Sequence, residues 1–172
     1  MAFTGFQKTV SLGMAGGVIG ELFNDGPRRC KSATLTSVSA ANNVFGNVFT
    51  YATAFNAQAG SGGARGFAGF LVGPKEQALL GDTNGTLDPS LTLPNGIQAE
   101  LLYMGSIWVA LPAAANIGDY VFYNNTTGAL TTLAPGTTPV TGTTFANATV
   151  DYFDLAAAGL AVITVSPYIG NP

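Results

Sequence analysis

Few residues of this 172-residue chain have types and spacing that could do chemistry. The closest pair of acids, Asp151 and Asp154, flanks the dipeptide Tyr152-Phe153. Two carboxylates can hydrolyse a glycosidic bond when a cleft holds them about 5–10 Å apart. This pair stands in a predicted loop before the last strand, in a half of the chain without basic residues to complete an enzyme site. We therefore expect no catalytic role for it.

A second set of oxygen-bearing side chains lies in residues 82–88, between Asp82 and Asp88. Their spacing could suit a hard cation such as calcium. An EF-hand loop, however, needs glycine at its sixth position, glutamate at its twelfth and a helix on each side, and this segment lacks all three. A turn stabilised by Asp and Asn side chains explains the same residues. The sequence thus predicts no metal and no other cofactor.

The absence of histidine and the presence of one cysteine, Cys30, exclude further chemistry. Ser-His-Asp and Cys-His catalysis, zinc sites with imidazole or all-thiolate ligands, and an internal disulfide all need residues that are missing. Arg28, Arg29 and Lys31 would favour the Cys30 thiolate if it were exposed. Because free cysteines are usually buried, we expect Cys30 to be a small buried side chain on a strand. The prediction is a protein that is not an enzyme.

Charge is scarce and unevenly distributed along the chain. Charged residues make up 9% of it, against about 25% in an average soluble protein. All six basic residues lie in the first 75 positions, whereas seven of the nine acids lie after them. Such asymmetry predicts a two-sided molecule that meets a charged partner or a copy of itself, unless folding interleaves the halves. So few bases make nucleic acid a poor partner.

Two basic or apolar segments are the candidate contact regions. Arg28, Arg29 and Lys31 place three cations within four positions, where arginine forks can bind a partner's carboxylates. The N-terminal arm, residues 1–17, carries Phe3, Phe6 and Lys8 before any clear strand, and such an apolar end docks on its own domain or on a neighbour. Arg65 completes the predicted partner-binding set.

The apolar residues do not predict a membrane or secreted protein. The longest apolar stretch, residues 10–23, contains Glu21 and four glycines. It is too short to cross about 30 Å of hydrocarbon as a helix. It also lacks the strongly basic start and the small-residue cleavage site of a signal peptide.

The elements that must position these residues are β-strands. Two-residue alternation is clear at Phe49, Tyr51, Thr53 and Phe55, at Thr34, Thr36 and Val38, at Ile107, Val109 and Leu111, and along residues 160–165. Residues 66–72 are apolar on both faces, which is typical of a central strand or of a strand buried at an interface. Residues 120–123 and 129–133 flank an Asn-Asn-Thr-Thr-Gly turn and predict a hairpin.

Recurring turn signals favour about ten strands in one domain, residues 18–172, after the arm. Residues 59–65 read as a long hairpin loop, and only residues 74–80 and 155–158 could form short helices. The predicted fold is all-β: a jelly-roll or β-barrel-like sandwich with an extended N-terminal arm.

With these segments in order, the chain resembles the structural cement, or capsid decoration, proteins of tailed bacteriophages. The resemblance lies in residues 18–28 (VIGELFNDGPR), residues 65–72 (RGFAGFLV) followed by Glu76, residues 107–109 (IWV) and residues 115–130 (ANIGDYVFYNNTTGAL). Two positions differ from the family pattern: Gly26 separates Asn-Asp from Pro27, and Pro74-Lys75 stands where a polar strand continuation with Arg is expected.

The resemblance implies a non-enzymatic subunit that binds the outside of a shell of major capsid protein and stabilises the virion head. It also implies copies arranged as a dimer or trimer at local symmetry axes, in virions assembled in the bacterial cytoplasm. The alternative is a carbohydrate-binding or adhesin-like β-sandwich of a spike or fibre. That reading needs exposed aromatics, for which Trp108, Tyr120 and Tyr123 are the candidates, whereas the apolar neighbours of Trp108 predict that it is buried.

Overall fold

The computed structural model describes residues 17–23, 26–60, 66–73 and 92–166. These residues form nine β-strands and one short 3₁₀ turn, Ala40–Asn42. None of the helices in the described ranges is long and apolar enough to span a membrane. The strands are β1 (Arg29–Leu35), β2 (Val48–Tyr51), β3 (Asn56–Ala59), β4 (Phe67–Val72), β5 (Gln98–Leu111), β6 (Tyr120–Asn124), β7 (Leu130–Leu133), β8 (Thr143–Tyr152) and β9 (Gly159–Val165).

β5 connects the two parts of the fold. Its 14 residues are long enough to take part in two groups of strands. In its first half, Leu102 pairs with Cys30 of β1 on one edge and with Phe70 of β4 on the other. In its second half, Trp108 pairs with Val162 of β9. The two groups of strands therefore share one continuous strand.

The first group closes on itself. β1 pairs with β3, β3 with β2, β2 with β4, β4 with β5, and β5 with β1 again, so five strands form a small barrel. Alternate side chains of these strands point inward because successive strand residues face opposite sides. Leu35, Phe49, Leu71 and Leu101 are fully buried in this interior. Closure pairs both edges of every barrel strand in at least part of its length.

The second group is a sheet in the order β5, β9, β8, β6 and β7. Ile107, Val109 and Ile163 lie on its inner face, and each is fully buried. They pack in one cluster with Phe70 and Leu102, which lie on the outer face of the barrel strands. Two hydrophobic cores thus alternate across β4 and β5, which explains why both strands are apolar on both faces.

Gly69 allows the barrel strands to approach closely. Its φ is +145°, and a Cβ atom there would lie 2.5 Å from the carbonyl oxygen of Leu102. The register between β2 and β4 also shifts between Phe49 and Thr50, as in a β-bulge. Glycine at this position is therefore required by backbone packing.

Several predictions from the sequence are confirmed. The fold is all-β and barrel-like, and residues 66–72 supply the central strand β4, which lies between β2 and β5. β6 and β7 form the predicted hairpin, with Tyr123 paired to Leu130. Residues 160–165 lie in β9. The jelly-roll connection and the domain limits remain predictions, and the arm before Gly17 lies outside the described residues.

Other predictions from the sequence are wrong. β2 ends at Tyr51, so Thr53 and Phe55 belong to the turn that follows, and Phe55 is 77% exposed. β1 ends at Leu35, so Val38 continues no strand and is 98% exposed. Alternation does not reveal where a strand loses its neighbour, because turn residues can continue the same apolar pattern.

Two predicted connections also differ. Residues 155–158 form an isolated bridge and bends, with no helix, and Leu155 exchanges backbone hydrogen bonds with Ala115. The hairpin predicted across residues 59–65 is also wrong, because β3 and β4 are not paired with each other and β2 lies between them. The helix predicted at residues 74–80 and the turn at residues 82–88 fall outside the described residues.

Candidate interaction surfaces

Three of the seven predicted contact residues lie within the described structure. Arg28 precedes β1, and Arg29 and Lys31 belong to it, and all three side chains are exposed. They form the basic cluster of the molecule, on the outer part of the barrel. Phe3, Phe6, Lys8 and Arg65 lie outside the described residues.

Lys31 of the basic cluster lies against an aromatic ring. Alternation places Lys31 on the same side of β1 as Ala33 and Leu35, whose side chains face the barrel interior. Its ammonium group lies 3.8 Å from the centroid of the Tyr103 ring and 6.0 Å from that of Tyr51. This is cation–π geometry, so Lys31 stabilises the barrel as well as adding surface charge.

The tyrosine beside this contact is partly withdrawn from water. Burial raises the pKa of Tyr51, and the neighbouring Tyr103 raises that pKa further. The Tyr51 ring therefore stays uncharged at neutral pH beside the Lys31 cation.

Cys30 is exposed, so the prediction of a buried cysteine is wrong. It pairs with Leu102, whose side chain lies in the core between the barrel and the second sheet. β1, however, follows the outer part of the barrel, and its first four residues are all exposed. Cys30 is therefore exposed because of the position of β1 at the rim of the barrel, although cysteine side chains are usually buried.

The Asp151 and Asp154 carboxylates have structural partners. Thr164 Oγ1 donates to Asp151 Oδ2 at 2.6 Å, which links β9 to the end of β8. The backbone N–H of Ile117 donates to Asp154 Oδ1 at 2.8 Å. Asp151 thus links two strands and Asp154 holds the loop at Ile117. Among the described residues no His, Cys, Asp and Glu cluster could hold a metal ion.

An exposed aromatic cluster lies beside these acids; we call Phe23, Trp108, Tyr152 and Phe153 the aromatic patch. Trp108 is 6% exposed and stacks on Phe153, with ring centroids 5.3 Å apart and planes inclined by 17°. Phe23 meets Trp108 edge to face at 5.6 Å and Tyr152 at 4.8 Å. Tyr152 and Phe153 themselves stay 43% and 49% exposed.

Backbone pairing positions the patch. The backbone N–H of Trp108 donates to Glu21 O, and that of Phe23 donates to Ser106 O. Residues 20–23 therefore run along the edge of β5 that does not pair with β9. Phe153 has a φ of +71°, which is rare for a bulky side chain and turns the chain at the end of β8. The sequence does not predict this backbone conformation, because Tyr152-Phe153 between two acids is typical of an ordinary loop.

A shallow apolar groove of about 550 Å³ lies beside the patch. Its walls are residues 17–19, residues 110–111 and residues 158–160. Gly17 contacts the Trp108 ring so closely that a Cβ atom would overlap it. The groove and the patch therefore form one continuous apolar area on the outer face of the second sheet.

The aromatics required by the carbohydrate-binding alternative do not form an exposed face. Trp108 is buried, as the sequence predicts, and Tyr123 is 4% exposed in the core. Burial raises the pKa of Tyr123, while a side-chain hydrogen bond with Thr144 lowers it. Tyr120 is half-buried and packs edge to face on Phe145 at 5.5 Å.

These features define a class: an all-β protein with an exposed basic cluster and a partly exposed aromatic patch in its described part. The same fold occurs in a solved chain entitled "The capsid of Myoviridae Phage XM1", at 15% sequence identity and a TM-score of 0.61. The alignment covers 95% of this chain and 99% of that one. Among curated proteins, none matches this chain.

The family is given by a family model described as "Structural cement protein (E217 gp24/Pam3 gp6)", which matches residues 6–166. The chain belongs to this structural cement protein family of phages. Its role is therefore that of a capsid cement or decoration protein, and the carbohydrate-binding alternative is not favoured.

Proposed function

We propose that this cement protein binds the outer surface of the shell formed by the major capsid protein and stabilises the virion head against disruption. The observation that carries the proposal is the family match over residues 6–166. In this proposal, assembly takes place in the cytoplasm of the bacterial host, and the protein acts without catalysis, cofactor, nucleic acid or membrane.

The physical mechanism is burial of surface on several shell subunits at once. Each weak contact raises the effective concentration of the next, so the assembled lattice gains stability without any reactive group. The low charge content of the chain, 9%, reduces the number of ions that must lose water at such a contact. Association of copies as dimers or trimers at local symmetry axes would multiply the contacts further.

The contact residues follow from exposure and charge. Arg28 and Arg29 are exposed at the start of β1, where their guanidinium groups suit carboxylates of the shell. Lys31 adds charge while resting on Tyr103. Phe3, Phe6 and Lys8 of the N-terminal arm, together with Arg65, are proposed as further contacts.

Co-sedimentation with purified empty shells tests the proposal. We expect the wild-type protein to pellet with the shells and to raise their melting temperature. Arg29→Glu should lower occupancy, because it places a negative charge on the exposed strand. The control Thr137→Glu adds the same kind of charge in the exposed turn between β7 and β8, and it should leave occupancy unchanged. A wild-type protein that stays in the supernatant would refute the cement role.

Deletion of residues 1–8 tests the arm. The truncated protein should decorate fewer sites at equal protein concentration, since it lacks Phe3, Phe6 and Lys8. Full decoration by the truncated protein would remove the arm from the contact and leave the basic cluster as the proposed site.

A further inference from the structure

The apolar groove beside the aromatic patch is lined by glycine and aliphatic residues in the part of the chain that the structure describes. It lies on the outer face of the second sheet, where Ala110 of β5 pairs with Leu160 of β9. Ala110 and Val18 are exposed, and Leu160 is half-buried. The groove volume of about 550 Å³ is several times the roughly 150 Å³ that holds a benzene molecule inside a protein. The groove therefore has room for several apolar side chains.

The N-terminal arm joins the rest of the chain at this groove. Gly17, the first described residue, lies in the groove wall and against the Trp108 ring. Residues 20–23 run antiparallel to β5, so the chain followed back from residue 20 to Gly17 moves towards the end of β5 at Leu111. Since consecutive Cα atoms are only about 3.8 Å apart, the polypeptide that precedes Gly17 must start at the groove.

The residues that directly precede Gly17 have the composition that an apolar groove requires. Val10, Leu12 and Met14 alternate with small residues, and no residue from 10 to 16 is charged. In an extended chain this alternation places the three large side chains on one face. Seven extended residues span about 23 Å, more than the width of about 10 Å that two neighbouring strands such as β5 and β9 occupy. Lys8 limits the segment on its N-terminal side, because an unpaired ammonium group is costly to bury.

A segment of the same chain is favoured over a separate molecule as the occupant. A short flexible connection gives the tethered segment an effective concentration in the millimolar range. A second copy or a segment of the shell would have to compete from free solution at its own, lower concentration. The described walls of the groove also carry no charge that could select a charged partner.

We propose that residues 10–16 of the N-terminal arm lie in the apolar groove of their own chain, with their large side chains packed over Ala110 and Leu160. The first eight residues then leave the domain at the second sheet, whereas the basic cluster lies on the barrel. A cement subunit of this form touches the shell at two separate places. That consequence rests on the proposed function, whereas the docking of residues 10–16 does not.

Limited proteolysis of the full-length protein with thermolysin, which cleaves before large apolar residues, tests the docking without any shell. Mass spectrometry follows cleavage before Leu12 and before Phe6 in the same molecule. We expect cleavage before Leu12 to be about tenfold slower or more, because a protease acts on a docked segment only while the segment is released. Ala110→Glu should remove most of this difference, because it places an unpaired charge in the groove.

Two further variants separate release of the arm from damage to the fold. Val140→Glu is the matched control, because it places the same charge on an aliphatic residue that is 59% exposed between β7 and β8; it should leave both cleavage rates unchanged. Leu12→Asp alters the arm alone, so faster cleavage before Val10 and Met14 in this variant cannot come from a disturbed β5. Circular dichroism and the melting temperature verify that Ala110→Glu keeps its fold.

Equal cleavage rates before Leu12 and Phe6 in the wild type would overturn the inference, and so would protection that Ala110→Glu and Leu12→Asp leave unchanged. Protection that disappears on dilution would assign the groove to the arm of a second copy. Protection that arises only after empty shells are added would assign residues 10–16 to the shell. Both of these results would also overturn the inference. Protection in the free protein, combined with a failure to pellet with shells, would sustain the inference and refute the shell-binding proposal.

Discussion

Replacing Lys31 by methionine tests whether this residue of the basic cluster contributes to the stability of the fold as well as to shell binding. The methionine keeps an unbranched apolar stem and removes the cation that lies 3.8 Å from the Tyr103 ring centroid. A cation–π contact at an exposed site contributes about 0.5–1 kcal/mol, and Lys31 is exposed. For a chain of this size, that loss corresponds to a fall in melting temperature of about 1–4 °C.

Urea unfolding of Lys31→Met and Arg29→Met gives the comparison. Arg29 lies on the same strand, and no aromatic ring among the described residues is recorded beneath it, so its replacement should change the free energy of unfolding by less than about 0.5 kcal/mol. A double-mutant cycle with Tyr103→Leu isolates the contact, and its coupling energy should be about 0.5–1 kcal/mol. In co-sedimentation with shells, Arg29→Met should lose occupancy despite its unchanged stability.

The reasoning fails if the Lys31–Tyr103 coupling energy is zero within error. It also fails if Arg29→Met destabilises the protein as much as Lys31→Met does. A coupling energy of zero would mean that Lys31 acts through its charge alone, whereas equal destabilisation would mean that Arg29 contributes as much to the stability of the barrel as Lys31 does.

Three further predictions concern the core. Gly69→Ala should lower the free energy of unfolding by about 3 kcal/mol or more, because its Cβ would meet Leu102 O at 2.5 Å. Gly96→Ala, at a φ of +86° with open space around it, should lower the free energy of unfolding by only about 1–2 kcal/mol. Equal losses in urea unfolding would contradict the packing argument. Burial raises the pKa of Tyr123, so the unfolded chain ionises first and stability should fall as pH rises above about 10. Tyr123→Phe should flatten that fall in melts between pH 8 and 11, and an unchanged slope would exclude this tyrosine as its source. Since Trp108 is 6% exposed, its fluorescence should be blue-shifted and unaffected by oligosaccharides, and a saturable change on titration would revive the carbohydrate-binding alternative.

Local patterns predict the strands that are regular along their whole length. The β6–β7 hairpin follows from alternation on both sides of a turn rich in Asn, Thr and Gly. β4 is apolar on both faces, and it indeed separates two cores. Trp108 is buried as its apolar neighbours indicate. In each case the residues that set the outcome are adjacent in sequence.

The errors arise where distant segments meet. Cys30 is exposed because β1 lies at the rim of the barrel, and Phe55 is exposed because β2 ends four residues earlier. The aromatic patch joins Phe23, Trp108 and Phe153, which are far apart in the chain and meet only through pairing with β5 and the turn after β8. No local pattern contains that information.

The amino-acid sequence alone determined that this protein is all-β, poor in charge and without the residues of common catalytic sites, since composition and two-residue alternation are local properties. Only the tertiary structure decided that β5 joins a closed barrel to a second sheet, that Lys31 lies against the Tyr103 ring, and that aromatic rings from distant segments form one patch. Those features depend on strand pairing between distant segments. That pairing is determined by which arrangement buries the apolar side chains of the whole chain, and no local pattern of residues specifies it.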